Sequence, residues 1–183
     1  MAVKARCRRR EPYVQMLARL WGLYGPLEAA LARIDWPDAE TLVRQRAKTG
    51  WLAADLHDFG LGSRTIESLP KATVLPAIAD VADVFGVLYV LEGATLGGQI
   101  ILAQLTAELG ATEDAGARFF ASYGSEVGVR WRSFVEALER FGEPPRVADR
   151  IERAAMTTFE IFGSWMSEDA AAPTPREGRR DVG

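Results

Sequence analysis

The chain has 183 residues, enough for one domain with a sizeable core. Apolar residues make up 48% and charged residues 26%, with a formal charge of −3, an ordinary globular balance that argues against nucleic acid as a principal partner. A single cysteine, Cys7, excludes an internal disulfide framework and fits a reducing compartment, and no apolar run follows the basic cluster at the start, so a cytoplasmic protein without a secretory signal is expected.

Helical spacing dominates the chain. Residues 1–10, with Lys4, Arg6, Arg8, Arg9 and Arg10, read as a solvated basic segment. From 11 to 34, Tyr13, Met16, Leu17, Leu20, Trp21, Tyr24, Leu27, Leu31 and Ile34 recur at three-and-four spacing and predict an amphipathic helix. Gly25-Pro26 should kink it. "DWPD" at 35–38 is a break, with Asp38 available as an N-cap, and residues 39–59 read as helix up to Gly60. A loop from Gly60 leads into a long apolar helix over about 77–109, ended by Gly110. Two helices are expected near 113–123 and 126–141, then a break at "GEPP". A last helix, about 147–167, aligns Ile151, Ala154, Ala155, Phe159, Phe162 and Trp165 on one face. The tail from 168 lacks large apolar residues and reads as disordered. The fold class is all-α, one domain over 11–167.

The long apolar helix holds the unusual feature. "LEGATLGGQ" puts Gly93, Gly97 and Gly98 beside a lone Glu92, although each helical glycine costs roughly 1 kcal/mol relative to alanine. Gly93-x-x-x-Gly97 is a helix-pairing pattern in lipid, and residues 84–105 approach the length of a span. Glu92 at the centre, with Asp80, Asp83 and Glu108 around it, argues against a membrane span. Two readings stay open for the glycines: close approach of another helix, or a flat ligand lying directly on the backbone. Gly93 and Gly97, four apart, share a face, with Gly98 beside them, and a slot there suits a planar aromatic such as a porphyrin.

"GVLYVLEGATLGGQII" resembles the distal helix of heme oxygenases, especially the bacterial biliverdin-forming kind found beside phytochromes. The resemblance extends to "YVQMLARLWGLYGPLEAAL", "SYGSEVGVRWRSFVEAL" and "RIERAAMTTFEIFGSWM", and so covers most of 11–167. It implies a heme-oxygenase-like helical fold with heme as substrate and cofactor. It also implies molecular oxygen, an electron donor such as ferredoxin or a reductase, and phytochrome as a bilin acceptor. The products implied are biliverdin, iron and carbon monoxide. By the same resemblance Gly93 and Gly97 form the catalytic distal wall, and Gly98, Arg132 and Phe159 contact the cofactor. Arg132 falls where the family places an arginine toward a heme propionate, with Arg130 as its neighbour; as bare sequence both are solvated helix charges. Phe159 matches a pocket aromatic, whereas its spacing alone makes it core. Tyr123 stays unassigned between propionate ligand and helix cap.

The family's iron-binding histidine lies on a helix upstream of the segment matching "EPYVQMLARL". The one histidine here is His57, in "AADLHDFG", which matches a peripheral helix and reads as a surface residue. Two readings follow: a chain that begins late, or a non-catalytic heme- or bilin-binding or interaction protein of the same fold. With the first helix absent, the apolar face of the 11–34 helix is expected to be exposed.

Overall fold

The computed structural model describes residues 10–167; the C-terminal tail and all of the basic segment except Arg10 lie outside them. Helix α1 (Arg10–Leu31) buries the repeating apolar positions from Tyr13 to Leu31. It runs on through Pro26. A proline removes the N–H that would serve the carbonyl four residues earlier, here that of Gly22. Ala72 N–H donates to that carbonyl at 2.9 Å, so the gap in the ladder is filled from outside the helix. Gly22 has to be glycine for this, because a Cβ there would lie 2.2 Å from the Pro70 carbonyl oxygen.

Residues 39–59 do not form one helix. They break into α2 (Ala39–Leu42), a 3₁₀ turn at Arg44–Arg46 and α3 (Thr49–Asp58). The break turns two cations, Arg46 and Lys48, into the interior. Glu28 of α1 then caps α3 from a distance, accepting from the backbone N–H of Lys48 at 2.6 Å, that of Thr49 at 3.2 Å and the Thr49 hydroxyl at 2.6 Å. Gly60, at φ +93°, ends the segment as its sequence implied. What reads as loop contains a short α4 (Ser63–Glu67).

The long apolar segment starts at 81, not 77. Asp80 accepts from the Ala82 and Asp83 N–H groups while Asp83 reaches back to the N-cap backbone, a capping box that sets the first turn of α5 (Val81–Gly93). A 3₁₀ turn, Ala94–Gly97, separates α5 from α6 (Gly98–Leu109), which ends at left-handed Gly110. The helix expected near 113–123 shrinks to α7 (Arg118–Ala121), because residues 112–117 close a tight turn in which Thr112 and Ala115 exchange backbone hydrogen bonds. Then come α8 (Val127–Gly142) and α9 (Pro145–Ser167).

Helix α5 is the centre of the packing. Val84, Phe85, Val87, Leu88 and Leu91 join Leu17, Leu23, Leu52, Leu56 and Phe134 in one core. By length and apolarity the Val81–Leu109 segment would pass for a membrane span, but 56% of its most apolar window is buried against the rest of the chain. The expected exposure of α1 is not found: its large apolar side chains are buried or half-buried, since α3, α7 and α9 cover them. The exposed large apolar residues lie elsewhere, among them Tyr89, Leu96 and Ile100 along the glycine segment and Val129, Met156 and Phe159 on α8 and α9.

Candidate functional site

The three motif glycines all have right-handed helical φ values, −59° at Gly93, −84° at Gly97 and −61° at Gly98, so the backbone conformation does not demand glycine at any of them. What glycine supplies is space. A Cβ on Gly98 would lie 2.3 Å from the Phe120 carbonyl oxygen, so this residue, read from the sequence as part of the slot, is buried in the contact between α6 and α7. A Cβ on Gly93 would meet the Trp131 ring at 3.7 Å, an ordinary contact. Around Gly97, its chain neighbours and local helix backbone aside, nothing among the described residues lies within 4 Å of the added carbon. Gly97 is therefore the open position, flanked by exposed Leu96 and Ile100. The Trp131 ring that lies against Gly93 also packs on Tyr89, with centroids 5.6 Å apart. The 3₁₀ turn between two α-helices is a recognised form of functional interruption.

Directly ahead of this turn, Glu92 is 1% exposed and fully engaged. Its Oε2 accepts from Arg46 Nη1 at 2.5 Å; its Oε1 accepts from Lys48 Nζ and, at 2.9 Å, from the Tyr123 hydroxyl. Arg46 also donates to the Arg130 carbonyl at 3.3 Å and to Ser133 Oγ at 3.2 Å. Burial, reinforced by the Glu92 charge, pushes the Tyr123 phenol far above its usual range, so it stays a proton donor. Burial pulls the Lys48 ammonium down, against the attraction of Glu92. The Thr95 hydroxyl donates to the Glu92 carbonyl at 2.7 Å and ties the turn to the last turn of α5.

The remaining sequence-derived candidates are dispersed. Arg132 is exposed on α8 with no hydrogen-bonding or ionic partner among the described residues. Arg130 is engaged, pairing with Glu126 at 3.3 Å and lying 4.5 Å over the Tyr123 ring. Phe159, whose spacing placed it in the core, is 56% exposed on α9. His57 is exposed on α3. Tyr123, unassigned from sequence, is a Glu92 donor. Sequence reasoning missed Arg46 and Lys48 altogether. The available signal was Glu92 itself, since a carboxylate inside an apolar helix requires buried partners.

The heme oxygenase family model matches residues 4–168. The chain belongs to the heme oxygenase family. Membership implies an oxidoreductase that degrades heme, with heme as both substrate and prosthetic group. Among solved structures, the NO- and CO-bound heme oxygenase from Neisseria meningitidis is similar in fold, with a TM-score of 0.72 at 20% identity, over 95% of this chain and 87% of that one. A search of curated proteins finds no match.

The described residues of this family member leave one face of the turn open to a flat ligand such as heme. Gly97 opens a side-chain-free patch flanked by exposed Leu96 and Ile100, and Trp131, packed on Tyr89, lies against Gly93 at the start of the turn. The cleft behind the turn, lined by Tyr24, Lys48, Ala94, Thr95, Gly98, Phe119 and Phe120, has a cavity volume of about 10 Å³, room for one water and none for a macrocycle. The one histidine of the sequence, His57, sits exposed on α3, a different element from those joined by the turn.

Proposed function

We propose that Gly93 and Gly97 form the distal wall of a heme site and that the family's heme degradation here yields biliverdin, iron and carbon monoxide. The observation that carries the reading is the open face at Gly97. Bound heme supplies the iron that activates oxygen and the macrocycle that is oxidised, with electrons from a reductase or ferredoxin. The chain's own residues shape where that happens. With no side chain at Gly97, a flat ring approaches the backbone to van der Waals distance. Leu96 and Ile100 shed water when covered. Glu92, the carboxylate nearest in sequence to the turn, is turned inward and fully paired, and so stays out of the proton traffic at the open face. Arg132, with its guanidinium unengaged, receives a propionate as a bidentate pair. Phe159, exposed on α9, supplies an apolar edge.

A second reading, a heme- or bilin-binding protein without turnover, is favoured by the position of His57, exposed on α3. Both readings share the distal wall, and one titration tests it. Hemin added to the 183-residue chain is expected to give a saturable Soret change. Gly97→Leu is expected to weaken that binding at least tenfold while far-UV circular dichroism holds its helix signal, since leucine is the better helix former. Unchanged affinity and spectrum in Gly97→Leu overturns the distal-wall assignment.

A further inference from the structure

We infer that Glu92 is a positioning residue for the glycine turn, holding the turn and the arginine-bearing helix α8 in one fixed relation. The inference rests on the heme-site reading above, because it says what keeps that wall in shape. Glu92 is the last residue before Gly93, and the glycines that follow have no side chains with which to hold their own orientation. Its carboxylate does so instead. The three side chains that bond it come from three other places: Arg46 from the turn after α2, Lys48 from the entry to α3, and Tyr123 from the approach to α8.

Arg46 carries the constraint onward. The guanidinium that holds Glu92 also binds the Arg130 carbonyl and Ser133 Oγ, and it lies 5.8 Å over the Phe134 ring. That bond sets the register of α8, in which Trp131 follows Arg130 and covers Gly93, and Arg132 comes next. One buried carboxylate thus indexes both walls of the candidate site.

The chemistry is costly for stability alone. Filling such a space with apolar side chains of similar volume is often neutral or stabilising, whereas a buried ionic cluster must recover the desolvation of every charge. What the ions add is direction. Both Glu92 oxygens are occupied by donors from separate segments, which fixes the rotation of the last turn of α5 and hence the face that Gly97 presents. An apolar plug leaves that rotation to looser packing.

The test separates positioning from stability. In Glu92→Leu/Arg46→Met/Lys48→Met all three charges leave together, and the melting temperature is expected to stay within several degrees of the parent. Amides of residues 93–98 are expected to exchange hydrogen at least tenfold faster, and hemin affinity to fall at least tenfold. Arg46→Lys keeps the charge beside Glu92 but gives up the bridge to α8. It is expected to speed exchange at 93–98 severalfold and to weaken hemin binding, and it decides the question if the triple variant does not fold. Unchanged exchange and unchanged hemin affinity in the folded variants overturn the inference. Gly97→Leu serves as the control. If it loses hemin while the charge variants keep it, the positioning role fails and the heme reading stands. If neither changes hemin binding, the heme reading fails, and the exchange rates alone judge Glu92.

Discussion

Arg130 and Arg132 lie two residues apart on α8 and so point to opposite sides of it; one is consumed by the fold and the other is not. Arg130 spends its guanidinium on Glu126 and the Tyr123 ring, and its carbonyl on Arg46. Arg132 has no such engagement among the described residues. A new carboxylate can therefore be met by Arg132 without breaking an existing pair. A hydrogen bond to a charged group contributes about 1.5–3 kcal/mol, or roughly ten- to hundredfold in affinity. Arg132→Ala is accordingly expected to weaken hemin binding at least tenfold in a spectrophotometric titration, and Arg130→Ala to weaken it less. An equal or larger loss in Arg130→Ala removes the propionate from Arg132. Sequence resemblance pointed to this pair and chose Arg132, but nothing in the pattern "VRWRSF" showed that Arg130 was already committed.

At the scale of elements, glycine has opposite meanings along one chain, and neighbours decide which applies. Gly86 lets α5 lie directly on α9: a Cβ there would fall 2.5 Å from both the Ile151 carbonyl oxygen and the Ala154 Cβ. Gly163, in the interior of α9, has nothing within 4 Å of an added carbon. Alanine at a compatible helical site stabilises by about 0.4–1 kcal/mol. Overpacking a helix contact costs about 1–3 kcal/mol. Gly163→Ala is therefore expected to raise the melting temperature slightly and Gly86→Ala to lower it by several degrees, at about 2–4 °C per kcal/mol for a chain of this size. Equal shifts of the same sign in the two variants refute the close-approach account of Gly86. The helices themselves were largely legible from periodicity, as α1, α8 and α9 show. The divided 39–59 segment was not, because its break serves buried cations whose partner lies more than forty residues away.

Across the whole molecule, carboxylates on α1 and α3 tie distant segments together. Asp55 accepts from the Arg118 and Phe119 N–H groups at 2.9 Å each, and Asp58 from the Gly116 N–H at 2.7 Å and from the Arg118 guanidinium. The hydrogen bond from Arg118 is the main cause that holds the Asp58 carboxyl below its ordinary value of 3.8. A carboxylate with a depressed folded pKa contributes stability above its unfolded value and loses it as pH falls through the folded one. Asp58→Asn is thus expected to melt lower than the parent at neutral pH, by a few degrees at most for so exposed a pair. The gap should begin to shrink below about pH 3.8 and close as pH falls through the lower folded value. A gap that persists undiminished in acid places its source outside the carboxylate.

The sequence by itself determined the all-α class, the positions of the main apolar faces, the stops at Gly60 and Gly110, and the family through "LEGATLGGQ" and its companion segments. Those features are local, written in spacing, caps and glycine at turns, and a short window is enough to read them. Only the tertiary structure decided which motif glycine is open, which arginine is unengaged, and that α1 passes Pro26 unbroken with Ala72 serving the carbonyl of Gly22. It alone shows Glu92 gripped by Arg46, Lys48 and Tyr123. The physical reason is common to all of these. Whether a glycine is a slot or a contact, and whether a charge is held or available, depends on atoms brought from far along the chain, and spacing within a segment carries no record of them.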